Sequence, residues 1–100
     1  MMFPDSTEKL KIMVKTWKVS WKGHEILAEN RWFSGEQLYI DNVRCDNRLG
    51  LGFTNELRGQ IKDAEGSVHI VTAKFRQGSF GTRILCHIFV DDQWVGGDLI

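Results

Sequence analysis

The stretch that decides the fold is GTRILCHIFVDDQWV, residues 81–95. Its apolar run from Ile84 to Val90 is interrupted only by His87. Apolar residues occupy both alternating sets of positions, and the run ends at an Asp-Asp pair that is typical of a turn. The pattern therefore predicts a strand with two apolar faces, which lies in the middle of a sheet or beneath a partner.

Outward from this stretch, the chain alternates short apolar-patterned segments with turn residues such as Lys22-Gly23, Asp41-Asn42 and Asp63–Gly66. These segments recur at a spacing of roughly 8–12 residues, without a helical period. The spacing predicts an all-β domain, an antiparallel β-sandwich or flattened barrel of seven to eight short strands. We assign residues 10–100 to this single domain and residues 1–9 to a loose N-terminal tail.

The alternation also predicts which faces are buried. Trp17, Val19 and Trp21 fall on one side of a hairpin that runs from Trp17 to Glu29, and the neighbouring lysines fall on the other side. Before Trp17 the apolar residues occupy the opposite set of positions, so a β-bulge or two short strands is expected near Lys15.

Two segments of the chain resemble each other. Leu38–Val43 and Ile88–Trp94 both read aliphatic, aromatic, β-branched, Asp and Asx, and they begin at positions 38 and 88. Two related meanders packed face to face would produce this pattern, and so would a chance likeness between two strand-turn units. The polar residues that follow, 44–48, are assigned to no strand.

Composition limits the classes of partner. The chain has 100 residues, 13 Lys+Arg and 13 Asp+Glu, so its formal net charge is zero. A neutral chain is a poor candidate for binding nucleic acid or acidic membranes, which depends on excess positive charge. A near-neutral surface with four tryptophans favours self-association.

The cysteine pattern and the hydropathy indicate a cytoplasmic protein. Cys45 and Cys86 lack metal-ligand spacing, so we expect reduced thiols and neither a metal nor another cofactor, although a disulfide stays possible. The N-terminal segment has no apolar run of signal-peptide length. No stretch approaches the ~20 apolar residues of a membrane span.

The histidines and carboxylates show no catalytic motif. Cys86 and His87 are adjacent in a predicted strand, so they point to opposite faces and cannot form a dyad. His69 and His87 fall in neighbouring strands and could face each other, and an enzyme would need both to converge with a carboxylate in one pocket. We attribute the carboxylates after the strands to turn geometry, in which Asp bonds its own following backbone. These residues are Asp41, Asp91 and Asp92.

The sequence is therefore interpreted as a non-enzymatic protein-binding domain of unknown partner, self-associating as a homodimer. The alternative is a small nucleic-acid or carbohydrate binding module that uses exposed tryptophans, namely Trp17, Trp21 and Trp32. Alternation favours a buried Trp17 and Trp21, so the aromatic connection after residue 30 is the better candidate for an exposed patch. The candidate binding residues are Arg31, Trp32, Phe33, His87 and Trp94.

Several short motifs resemble pieces of the Fas apoptotic inhibitory molecule family. They are Trp17-x-Val19, Gly23-His24-x-Ile26, Ser34-Gly35, Ile40-Asp41-Asn42 and the closing segment Cys86–Asp92. The resemblance covers about half of the chain and implies one lobe of an antiparallel β-sandwich that acts by binding proteins. The turns at Asp41-Asn42 and Asp91-Asp92 lack the glycine that is usual in the family, and no functional residue is carried over.

Overall fold

A computed structural model describes residues 14–31, 35–48, 54–78 and 83–100, and every regular element in these ranges is a strand. The all-β prediction is confirmed, with eight strands. They are β1 (Val14–Trp21), β2 (His24–Arg31), β3 (Gly35–Ile40), β4 (Val43–Arg48), β5 (Thr54–Lys62), β6 (Val68–Gln77), β7 (Ile84–Val90) and β8 (Gln93–Gly97). Within the described ranges, no helix is long and apolar enough to cross a membrane.

The strands form two four-stranded antiparallel sheets, in the orders β1-β2-β3-β4 and β5-β6-β7-β8. The sheets pack as a sandwich and do not close into a barrel. At one side β1 lies against β8, and at the other side β3 and β4 lie against β5. The apolar run that decides the fold is β7, which lies between β6 and β8 as its two apolar faces predict.

One apolar core fills the space between the sheets. Trp17 from the first sheet meets Phe75 from the second edge to face, with ring centroids 5.7 Å apart. The predicted buried face of β1 is confirmed, because Trp17 and Val19 are buried and Trp21 packs against the core. The buried apolar residues are Trp17, Val19, Ile26, Ala28, Leu38, Ile40, Leu57, Ile61, Val71, Ala73, Phe75, Cys86, Ile88 and Val90.

Two local predictions are wrong. β1 pairs with β2 without interruption from Val14 to Trp21, so there is no bulge at Lys15. The apolar residues that suggested the bulge, before residue 14, lie outside the described residues. Residues 44–48, which we assigned to no strand, belong to the edge strand β4. This strand pairs with β3 despite its polar sequence, because backbone hydrogen bonds do not require apolar side chains.

The two halves of the chain match in detail. Register shifts fall between Leu38 and Tyr39 in one sheet and between Ile88 and Phe89 in the other. The hairpin turns that follow have left-handed φ angles of 50° and 67° at Asp41-Asn42 and of 51° and 66° at Asp91-Asp92. Such turns suit the twist of two-residue hairpins. These coincidences favour two related meanders over a chance likeness.

Candidate functional site

The first matched feature is a histidine held by a turn carboxylate. Ile26 pairs with Ile40, so Asp41 in the following turn lies opposite Glu25. Asp41 Oδ1 accepts the Glu25 amide at 2.9 Å, and its Oδ2 lies 2.7 Å from His24 Nδ1. The hydrogen bond from His24 holds the pKa of Asp41 below its usual range.

The second copy repeats this arrangement and adds a third group. Asp91 Oδ1 accepts the Ile70 amide at 3.0 Å, and its Oδ2 lies 2.6 Å from His69 Nδ1. The other ring nitrogen of His69 lies 2.9 Å from Asp63 Oδ2. Attributing Asp41 and Asp91 to turn geometry alone is therefore wrong, because both carboxylates bond a neighbouring strand.

His69 links two turns through ion pairs with Asp63 and Asp91. Both acceptors are carboxylates, so both ring nitrogens donate and the ring is an imidazolium. The hydrogen bonds to Asp91 and then to Asp63 raise the pKa of His69, and His69 lowers the pKa of each carboxyl. His69 thus joins the β5–β6 turn to the β7–β8 turn.

The groups around His69 indicate a structural role for its side chain. The Trp21 ring meets the His69 ring at 4.9 Å, and Lys22 Nζ lies 5.0 Å from the Trp21 centroid. Among the described residues, no cluster of three or more His, Cys, Asp or Glu side chains could hold a metal. The groups in these contacts are an indole, an ammonium group and two carboxylates, with no hydroxyl or thiol among them.

The ion pairs of His69 with Asp63 and Asp91 predict how the stability of the fold depends on pH. A raised histidine pKa stabilises the fold fully below the unfolded-state value of 6.5, and this contribution is lost as the pH rises through the folded-state pKa. The lowered pKa values of Asp63 and Asp91 stabilise the fold above the unfolded-state carboxyl pKa of 3.8. This contribution is lost as the pH falls through the folded-state pKa values. Urea unfolding from pH 4 to pH 9 should show the alkaline loss in the wild type and not in His69→Gln. The loss should persist in the control His24→Gln, and its persistence in His69→Gln would contradict the assignment.

His87 does not join His69. His69 follows the core-facing parity of β6, whereas His87 lies on the opposite face of the second sheet, paired with Lys74. The prediction that His69 and His87 could face each other is therefore wrong. The His87 side chain is buried, its Nδ1 donates to the Asp98 carbonyl at 2.7 Å, and its Nε2 accepts from Arg76 Nε at 3.0 Å. Both nitrogens of this candidate binding residue are engaged within the domain.

The two cysteines are free thiols. Cys86 is buried and Cys45 is exposed. Burial raises the pKa of the Cys86 thiol, partial desolvation raises the pKa of the Cys45 thiol, and nearby carboxylates raise both further. Neither is thus poised as a thiolate nucleophile.

A separate surface feature is the outer face of β5–β8, defined as the side of the second sheet that points away from the core. Val68, Ile70 and Trp94 lie on it with 53%, 40% and 39% of their surface exposed. Trp94 pairs with Phe89 in the ladder, and its Nε1 donates to the Asp98 carbonyl at 3.0 Å. The indole is therefore held in place beside a second aromatic ring.

Charged side chains border these apolar residues. Glu56 Oε2 lies 3.1 Å from an Arg58 nitrogen, and Glu56 Oε1 lies 3.5 Å from Lys74 Nζ. Lys74 also lies over the Phe89 ring, 5.0 Å from its centroid. Arg76 is the next outward-facing residue along β6. The outer face thus combines an apolar strip with a basic border.

The remaining candidate binding residues are Arg31, Trp32 and Phe33. Arg31 is the last residue of β2, not part of a connection; it is exposed and pairs with Glu29 at 3.2 Å. Trp32 and Phe33 lie outside the described residues. Val68 and Ile70 were not among the candidates, although their alternation with the core residues of β6 already placed them on the outer face.

The chain was compared with protein-family models, with curated proteins and with solved structures, and no match was found in any of the three. The resemblance to the Fas apoptotic inhibitory molecule family therefore stays a prediction.

Proposed function

We propose that the chain is a non-enzymatic protein-binding domain whose contact surface is the outer face of β5–β8. The observation that carries the proposal is the exposure of Val68, Ile70 and Trp94 together on one side of a single sheet. Scattered exposed apolar residues are ordinary, but a grouped set with a polar border is typical of interaction sites.

The face is suited to binding because it is already ordered. Its residues lie on paired strands, and Trp94 is fixed by its hydrogen bond to Asp98. A side chain that is fixed before binding loses less conformational entropy when a partner arrives. Aromatic side chains at the centre of an interface commonly supply much of the binding energy.

The alternative, a nucleic-acid or carbohydrate module, has less support. It relied on Trp17, Trp21 and Trp32 as exposed stacking surfaces. Trp17 is only 8% exposed, and Trp21 packs against the core and His69. Trp32 lies outside the described residues. Trp94 is the tryptophan that the structure makes available for such stacking among residues 14–31, 35–48, 54–78 and 83–100.

A cytoplasmic location belongs to the same proposal, and self-association is its competing form. A second copy is one protein that could dock on the outer face. The two free thiols support a reducing compartment.

A random peptide library displayed on phage tests the proposal without a known partner. Peptides selected on the wild type should bind Ile70→Lys about tenfold more weakly or worse, because the substitution places a charge in the apolar strip. Val43→Lys is the matched control, since Val43 is 66% exposed on the first sheet. It should bind the same peptides with unchanged affinity.

Circular dichroism on both variants establishes that each is folded. Selected peptides that bind Ile70→Lys as tightly as the wild type, or that lose affinity for Val43→Lys instead, would contradict the assignment of the surface.

A further inference from the structure

We infer that the segment recognised by the outer face of β5–β8 is an acidic peptide that also carries apolar side chains. This inference rests on the proposed function and specifies the chemistry of the partner. Its basis is an imbalance of charge on the described part of the face, where Arg58, Lys62, Lys74 and Arg76 accompany the one carboxylate of Glu56.

The contacts within the face leave this imbalance in place. Glu56 is shared between Arg58 and Lys74, one oxygen to each. The Nε of Arg76 donates to an imidazole nitrogen of His87, which is an uncharged acceptor. One negative charge thus accompanies four positive ones on the face, although the whole chain is neutral. An acidic segment would complement this local excess of positive charge.

The arrangement of charge and apolar surface matches a peptide. Lys74 lies at the Phe89 ring, so a ligand carboxylate near Lys74 would place its neighbouring side chains over Phe89 and Trp94. Ile70 lies two residues before Thr72 on the same side of β6 and extends the apolar strip. A peptide that alternates acidic and apolar residues can reach both parts.

A second copy of the chain fits less well. Two outer faces brought together would oppose the same basic side chains, and like charges across an interface are unfavourable. Single-stranded nucleic acid also fits less well, because it needs exposed rings for its bases. On the described part of this face Lys74 lies over the Phe89 ring and Val68 and Ile70 are aliphatic, which leaves Trp94 as the exposed ring.

Synthetic peptides taken from the selection test the inference. Each is compared by fluorescence anisotropy with a counterpart in which Asp and Glu are replaced by Asn and Gln. The acidic form should bind about tenfold more tightly at low salt, and the difference should shrink at high salt because the charges are screened. Lys74→Gln should weaken the acidic form several-fold.

The matched control is Lys18→Gln. Lys18 is a strand lysine of the first sheet with one glutamate partner, Glu25, as Lys74 has Glu56. This control should leave the affinity unchanged.

The possible outcomes separate the inference from the proposed function. Equal binding of acidic and neutral peptides, with loss in Ile70→Lys, would overturn the acidic partner and keep the binding face. A dimer in sedimentation that Ile70→Lys dissociates would make the occupant a second copy and overturn the inference. Binding of oligothymidylate that Lys74→Gln abolishes, without binding of selected peptides, would overturn both proposals. Peptide affinity that is independent of Ile70 would also overturn both.

Discussion

Phe75→Ala is expected to lower the free energy of unfolding by about 3–5 kcal/mol, the usual cost of removing a buried phenylalanine ring. Phe75 is 1% exposed and lies between the sheets, where its ring meets Trp17 edge to face. Removing the ring leaves a cavity at the contact that joins the two halves of the sandwich. Small domains have a total stability of about 5–15 kcal/mol, so this single change removes a large part of it.

A matched control is available in the same sheet. Phe89 carries the same side chain on the outer face and is only half-buried, so Phe89→Ala should cost clearly less. Phe75→Leu keeps most of the apolar volume and should fall between the two. Urea unfolding followed by circular dichroism measures all three, and equal costs for Phe75→Ala and Phe89→Ala would contradict the layering.

Asp98→Ala is expected to cost about 2–5 kcal/mol, because it leaves two donors without an acceptor. Asp98 Oδ2 accepts the Cys86 amide at 2.9 Å and the Trp17 indole at 3.0 Å. Cys86 is 0% exposed, so water cannot easily replace the lost acceptor. Burial opposes the charge, but the Cys86 amide and the Trp17 indole hold the pKa of Asp98 below its usual value.

This carboxylate also covers the edge of β7 where β8 has ended. Asp98→Asn retains an acceptor oxygen and should cost less than Asp98→Ala. Asp92→Asn, in an exposed turn, should change the stability little. Thermal or urea unfolding gives the ranking, and a cost for Asp98→Ala no greater than that for Asp92→Asn would show that the two hydrogen bonds contribute nothing.

The sequence was sufficient where burial leaves a pattern. The double apolar face of residues 84–90 predicted a strand inside a sheet, because both of its sides contact other side chains. The alternation of Trp17, Val19 and Trp21 with polar neighbours predicted the inner face of β1. Each of these inferences depends only on which side chains avoid water.

Sequence reasoning failed where backbone pairing or distant partners decide the structure. β4 is polar and largely exposed, so no periodicity marks it. Side-chain hydrogen bonds join Asp41 to His24 and Asp91 to His69, at separations of 17 and 22 residues. These separations differ because the β6–β7 ladder has one more residue pair than the β2–β3 ladder and a longer connection, although the register places the residues equivalently. Aligning the two meanders from the strand before each aspartate would have revealed the pairs.

The candidate site was only partly accessible from the sequence. Trp94 was among the candidate binding residues, and 39% of its surface is exposed. His87 was also selected, but its burial depends on Arg76 and on the carbonyl of Asp98. Such contacts come from neighbouring strands and from the end of the chain, which no local pattern specifies.

Chemical-shift mapping of a selected peptide onto the isotopically labelled domain shows which face the peptide contacts. The amide signals of Ile70 and Phe89 and the indole signal of Trp94 should move during the titration. Signals from the outer side of the first sheet, such as Leu27 and Tyr39, should stay in place. Movement confined to Leu27 and Tyr39, with the outer face of β5–β8 unchanged, would contradict the proposed function.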